Sequence, residues 1–367
     1  MFKFFSDLEF PYYKYCKKID PEQMRKDADE FEPTVYDYVP KGLKKYIHGY
    51  KIGDRFDPPL EKFQKKYFFI YDGYAANEYI NGNTNLFSES ARVKCVFKGF
   101  SSPLAYWKKN KNSLIREAMK NYSFRSKDSM KETIVYNIRE SMFINTRFCN
   151  NFRITVVLAI LRHFKPESWL DISAGWGDRL LAGILYGIKR YVAVDPNLEL
   201  HPCYDNMIKT MGEDKSKFTI HKAGFLEAKL DPKEMFDIVF AGPPFFDLET
   251  YSNYEGDSLK GKKTEEEWTD KFLIPSVVKA FNQLKTDHYY ILYIAGNPYT
   301  LEKIHQMDKF ASYQGIIYFY EKSPRTLYTW KKTKDDKLMY DGENIKIMGE
   351  EEAEGENEQG EEEDEAE

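Results

Sequence analysis

Cysteine and histidine are both scarce in this chain of 367 residues. Cys16, Cys95, Cys149 and Cys203 form no C-x-x-C pair, and the six histidines show no ligand spacing. These shortages leave neither a disulfide framework nor a donor set for a structural metal, so no metal is expected. No stretch approaches the roughly 18 consecutive apolar residues of a membrane helix. The chain also opens without a signal-like apolar segment. An intracellular, reducing setting with no membrane partner is therefore expected. No internal repeat is visible.

What is abundant is aromatic and charged. There are 28 Tyr and 27 Phe, a bias that an AT-rich coding sequence would produce unaided. Net charge is −5, but residues 350–367 hold twelve acids and no base, so the remainder carries +7. A mildly basic body permits a polyanionic partner. The acidic stretch has no apolar periodicity and repels itself, which predicts a disordered tail. Its plain role is solubility; the functional alternative is a nucleic-acid mimic competing for a basic groove.

Residues 169–195 carry the strongest signal: an apolar strand, a glycine turn, a helix, a second strand and a terminal acid. Asp171 ends the first strand, followed by Ser173 and Ala174, and Gly175 and Gly177 permit a tight turn with close backbone approach. Asp195 closes the second strand, where an acid accepts hydrogen bonds from ribose hydroxyls. The third glycine of a dinucleotide fingerprint is missing, since that position is Leu180. Asp178, at the start of the helix, either faces a ligand or complements the helix dipole.

One strand unit further on, an apolar strand over 236–241 runs into Gly242-Pro243-Pro244-Phe245-Phe246-Asp247. The turn falls at a strand's carboxyl end, the edge where open α/β sheets bind ligands. D-x-x-x-G-x-G followed by a strand ending in Asp resembles the S-adenosylmethionine (SAM) site of class I methyltransferases. With the proline turn, the pair resembles the amino-group methyltransferases of adenine and cytosine, whose signature is (Asp/Asn/Ser)-Pro-Pro-aromatic. More narrowly, Gly-Trp-Gly-Asp-Arg-Leu, Val-Asp-Pro-Asn and Pro-Pro-Phe-Phe-Asp-Leu-Glu-x-Tyr are similar to predicted methyltransferases of large DNA viruses and bacteriophages. The likeness spans residues 145–300.

The resemblance implies SAM as cofactor, nucleic acid (DNA or RNA) as partner, and methyl transfer to an exocyclic base amine without a metal. In that family the first residue's side chain and the following proline's carbonyl accept from the amine, while the aromatic stacks the extruded base. Pro243 and Phe245 fit, with Phe246 assisting, but Gly242 offers no side-chain acceptor. Loss of one oriented contact costs about 2–4 kcal/mol in a transition state, so Asp247 and Glu249 are candidate substitutes. The resemblance also places the cofactor's adenine against the loop after strand three, where Phe225 would stack and Glu227 would take the amine.

Rival chemistries read differently on the same residues. Cytosine C5 methylation needs a cysteine nucleophile, and Pro202-Cys203 follows strand two, away from the proline turn. Ribose methylation would place an Asp where Gly242 stands. Protein glutamine or small-molecule methylation, and a catalytically silent binding module, stay open.

The expected architecture is a Rossmann-like class I methyltransferase sheet over 145–335 with helices on both faces. An α+β accessory and target-recognition region (1–144) precedes it, and an extension with the acidic tail (336–367) follows. Core strands are expected near 168–172, 190–195, 217–222, 236–241 and 288–295, with a closing hairpin from 313–320 and 326–331. Core helices are expected near 151–164, 177–186, 199–211 and 265–284. Upstream, strands are expected over 65–71 and 92–97, a turn at 81–85, and helices over 113–119 and 129–142. Basic and aromatic residues interleave from Tyr106 to Lys111 and on through Lys120, Tyr122, Phe124, Arg125 and Lys127. That stretch suits either phosphate and base contacts or a solvated helical face with buried aromatics.

Overall fold

The structure, a computed structural model, describes residues 2–36, 65–71, 78–120, 130–251, 257–294, 297–319 and 325–349. Tyr122, Phe124, Arg125, Lys127 and the acidic tail lie outside the described residues. Three strands precede the regular alternation: β1 (Thr34–Tyr36), β2 (Lys66–Tyr71) and β3 (Val96–Phe97). The alternating part supplies β4 (Ser168–Asp171), β5 (Arg190–Val194), β6 (Phe218–His221), β7 (Phe236–Ala241), β8 (Glu249–Thr250) and β9 (Leu284–Tyr293). A hairpin of β10 (Ala311–Phe319) and β11 (Arg325–Lys332) follows, then a small one of β12 (Leu338–Tyr340) and β13 (Ile345–Ile347).

Nine strands form one sheet in the order β1-β2-β10-β11-β9-β7-β4-β5-β6. Pairing is parallel from β6 through β9, β11 is antiparallel to both of its neighbours, and β2 adds a parallel edge to β10. The fold is thus the expected mostly parallel Rossmann-like α/β sheet, with the expected antiparallel hairpin beside it. Successive residues of each strand point to opposite faces, and both faces are apolar. Trp169, Tyr191 and Phe240 enter one core with the helices Ile154–Phe164, Asp178–Tyr186 and His201–Thr210; Leu170, Val192 and Val239 enter the other with Ile274–Phe281.

Two expectations fail for identifiable reasons. The 92–97 run is not a strand: Arg92 ends the helix Asn85–Arg92, and only Val96 and Phe97 are extended. Its guanidinium donates to the Cys149 carbonyl (2.8 Å) and Asn85 Oδ1 (2.5 Å), so tertiary contacts override β propensity. The 265–284 helix is broken into Glu265–Trp268, a π turn Thr269–Leu273 and Ile274–Phe281. Pro275 lacks the N–H that would bond back to Lys271, and a π bulge absorbs the gap.

The 113–119 helix is longer than expected. It runs Pro103–Lys120, with Ser102 Oγ accepting from Ala105 N (3.2 Å), so a Ser-Pro start signal lies ten residues upstream of Ser113. This helix and Met130–Asn145 enclose a third apolar cluster around Phe10, Trp107, Ile115 and Ile138.

Candidate functional site

The chain leaves β4 toward β5 and β6 on one side and returns to β7 and β9 on the other, which opens a crevice at the carboxyl ends of β4 and β7. A cavity of about 1270 Å³, counting its open mouth, lies there. Ser173, Ala174, Gly175, Asp178, Asp195 and Phe225 line it, as do Gly242, Pro243, Pro244 and Phe245. The two motifs, about 70 residues apart in sequence, therefore share one space. Asp171, Gly177, Glu227, Phe246 and Asp247 are not among the lining residues.

The glycine turn is held by its acids. Asp195, 7% exposed, accepts from Gly175 N (2.8 Å) and Asn197 N (2.9 Å). Burial raises its pKa to about 6, against the two backbone hydrogen bonds, which lower it. The Tyr204 hydroxyl donates to the Gly175 carbonyl, and His201 Nε2 meets the Asp195 carbonyl at 2.9 Å. Gly177 shapes the turn from behind. Its φ is +90°, a conformation that favours glycine, and a Cβ there would press on Met207 Cε at 3.0 Å.

Asp171 lies beneath the cavity floor, fully buried. It accepts from Arg179 Nε (2.7 Å), the Tyr191 hydroxyl (2.9 Å) and Ser173 N (3.1 Å). Burial pushes its carboxyl up and the guanidinium opposes that. Arg179 Nη2 donates on to the Ser173 carbonyl and hydroxyl, and Ser173 Oγ donates to the Gly242 carbonyl (2.9 Å). A continuous polar chain thus ties the glycine turn to the proline turn.

At Gly242 itself, a Cβ would stand 3.1 Å from Tyr293 Cδ1 and 3.3 Å from Arg179 Nη1. The place where the resembled family carries an acid or amide is here bordered by a guanidinium and an aromatic ring. Phe245 packs on Tyr293 (centroids 5.1 Å), and Phe152 meets Tyr293 edge-on at 5.1 Å, giving the cavity an aromatic wall.

The segment Asn150, Asn151 and Phe152, which sequence reading did not single out, also lines the cavity. It is clamped at both ends. Asp178, buried, accepts from Asn151 Nδ2 (2.9 Å) and Phe152 N (3.2 Å); Glu249, also buried, accepts from Asn150 N (2.8 Å) and the Tyr251 hydroxyl (2.9 Å). Asp178 is therefore an anchor on the cavity wall rather than a free acid. Of the two acids near the proline turn, Asp247 is exposed and paired with Lys98, whereas Glu249 is buried on the cavity wall. Asparagines before a helix carry no distinctive signal, but the Asn-Asn-Phe run ahead of an apolar helix is the feature that would have marked them.

On the far side, Phe225 is 2% exposed and belongs to the core while still bordering the cavity. Lys279 Nζ fixes its loop through the Phe225 (2.7 Å), Leu226 (3.0 Å) and Ala228 (2.8 Å) carbonyls. Glu227 is exposed. The Ser258 hydroxyl, buried and facing the same cavity, has no hydrogen-bond partner among the described residues. Phe246 packs beside Trp268 (6.3 Å). Among the described residues no His, Cys, Asp and Glu cluster could hold a metal ion, and no helix is long and apolar enough to cross a membrane. None of the four cysteines is in a disulfide, and burial pushes the Cys95 thiol up to about 12.

No protein-family model and no curated protein sequence matches the chain. Distant structural likenesses are found among solved structures, several of them titled methyltransferases. A methyltransferase from Pyrococcus furiosus shares 16% identity, covering 62% of this chain and 100% of that one, at a TM-score of 0.37. An rRNA methylase from Streptococcus thermophilus shares 13%, covering 51% and 99%, at 0.35. A conserved hypothetical protein of Streptococcus pyogenes shares 14%, covering 47% and 93%, at 0.32.

Proposed function

We propose that this chain is a SAM-dependent methyltransferase acting on an exocyclic amine of a nucleic-acid base. The observation that carries the reading is the meeting of the glycine turn, the acid Asp195 and the Pro243-Pro244-Phe245 turn around one cavity. The residues present fit the cofactor. A buried carboxylate faces the cavity beside a glycine turn, and the unpartnered Ser258 hydroxyl offers a further polar contact on the cavity wall.

Asp195 would accept from the ribose hydroxyls, and Phe225 and Ser258 would border the adenine. Ser173, Asn151 and Arg179 would meet the polar amino-acid end. When bound, the cofactor supplies an electrophilic methyl group on sulfonium. The work of the protein is then to hold the acceptor amine. That amine is a weak nucleophile because its lone pair is delocalised into the ring, and it must be held by acceptors as it pyramidalises. The Pro243 carbonyl is one such acceptor. Gly242 supplies no second one, and the buried Glu249 carboxylate is the acid available in its place. Phe245, braced by Tyr293, offers the face on which an extruded base stacks. The amine's proton leaves after transfer, and Glu249, on the cavity wall after the proline turn, would take it.

Calorimetry with SAM and tritiated methyl transfer to DNA, RNA and protein test this reading together. SAM binding with transfer to a nucleic-acid amine is the expected result. Failure to bind SAM, or transfer confined to protein, removes it.

A further inference from the structure

Glu227, the acid that the sequence offers for an adenine amine, is exposed and stands outside the cavity wall. A different acid lines the cavity. Asp257 and Ser258, ahead of the helix Glu265–Trp268, both belong to its wall. The Ser258 hydroxyl is buried, the residue being 6% exposed, and has no hydrogen-bond partner among the described residues. An unpaired buried hydroxyl is costly, so one that faces a cavity marks where a polar ligand atom belongs. Asp257, half-buried beside it, uses one oxygen for the chain itself: Oδ1 accepts from Leu259 N (2.8 Å). Its Oδ2 has no hydrogen bond among the described residues.

The pair stands on the β6 side of the crevice. Lys262, whose amide donates to the Leu259 carbonyl (3.0 Å), is within electrostatic reach of both Asp257 and Glu227. Lys279 is within reach of the same Glu227, holds the loop after β6 by three carbonyls and lies 5.1 Å from the Phe225 ring centroid. The segment 257–262 therefore passes beside the loop that carries Gly224 and Phe225, both cavity wall. That loop follows the edge strand, one strand beyond β5 and Asp195, whereas the proline turn follows β7 on the other side of β4. With Asp195 taking the ribose and the proline turn taking the acceptor amine, the β6 side is left for the base of the cofactor.

We infer that Asp257 and Ser258 read the 6-amino edge of the cofactor's adenine, Oδ2 of the carboxylate accepting from the amine and the Ser258 hydroxyl donating to the ring nitrogen beside it. Selectivity for an amino over an oxo purine then comes from the segment after the proline turn and not from the loop after β6. The inference rests on the cofactor reading above, and its test measures binding rather than methyl transfer.

The experiment is calorimetry of the full chain with S-adenosylhomocysteine and S-inosylhomocysteine, which differ only at that edge. The wild type should bind the adenosyl compound at least about tenfold more tightly, because an oxo group would leave the carboxylate facing a second acceptor. Asp257→Asn can keep the oxygen that holds Leu259 N while turning the other atom from acceptor into donor, so the preference should vanish or reverse. A residue that merely shaped the turn would leave the preference in place. Ser258→Ala should weaken the adenosyl compound at least about threefold, and Glu227→Gln should bind as the wild type does. The inference is overturned if the wild type binds the two compounds alike, if Asp257→Asn keeps the wild-type preference, if Ser258→Ala binds as the wild type does, or if Glu227→Gln abolishes the preference. A chain that binds neither compound overturns the cofactor reading with it. An Asp257-dependent preference without methyl transfer to any nucleic acid would refute the catalytic reading alone.

Discussion

Asp195 is the residue whose charge state should govern the cofactor site. Burial raises its carboxyl to about 6, while hydroxyl donors bind the ionised form better. SAM affinity should therefore be flat above pH 7 and fall through pH 6, about tenfold by pH 5. Asp195→Asn should bind more weakly and lose that pH dependence, as calorimetry at several pH values would show. Asp195→Ala should cost about 1–3 kcal/mol of binding at pH 7.5. The same shift acts on folding with the opposite sense. An acid whose pKa is higher folded than unfolded favours the folded state below its unfolded value, and that contribution is lost as pH rises through about 6.

Gly242 tests whether the missing side chain is a defect or a replacement. A carboxylate introduced by Gly242→Asp would start within 3.3 Å of Arg179 Nη1 and would pair with it rather than with a substrate amine. Transfer rates should fall in this variant, not rise. A rate above wild type in a single-turnover assay would show that the guanidinium does not occupy that function. The sequence made the substitution visible but not its neighbour. Arg179, held by Asp171 and Ser173 within the glycine motif, lies against Gly242 of the proline motif, an approach that no spacing in the chain encodes. The acids illustrate the same limit. Asp247 and Glu249 look alike in sequence, and only the β3–β8 pairing buries the second and leaves the first to Lys98.

At the scale of elements, the alternating core was legible because strands such as 236–241 are apolar runs and the helices between them are rich in apolar residues bounded by glycine or proline. The failures lie where distant contacts decide. Val93 to Phe97 has strand composition, yet its neighbours cap a helix, and Pro275 breaks a helix whose apolar stripe continues through the break. The added edge of the sheet gives a prediction of its own. Gly315, in a bulge of β10, has φ +117°, and a Cβ there would stand 2.4 Å from the Lys65 carbonyl. Gly315→Ala should lower unfolding free energy by about 1–3 kcal/mol through backbone strain and clash, read from denaturant titration. An unchanged midpoint would mean that β2 does not pair as described.

Over the whole molecule, the first 144 residues do two things that composition could not separate. β1 and β2 extend the main sheet, while the helices around Trp107 and Ile138 make a separate cluster. Charge acts at this scale too. Deleting residues 350–367 would move net charge from −5 to +7, so affinity for single-stranded nucleic acid should rise at low ionic strength and converge with the full chain at high salt. Equal affinity at low salt would leave the acidic end with no role as a competitor of nucleic acid.

The central claim is that the proline turn presents a base amine to SAM, and one measurement meets it directly. The full chain is incubated with methyl-deuterated SAM and with DNA and RNA, and the nucleosides are analysed by mass spectrometry beside a Phe245→Ala control. The account predicts labelled methyl on an exocyclic nitrogen, strongly reduced in Phe245→Ala although that variant still binds SAM. Label on a base carbon or a ribose oxygen, or no label from a wild-type chain that binds SAM, would contradict it.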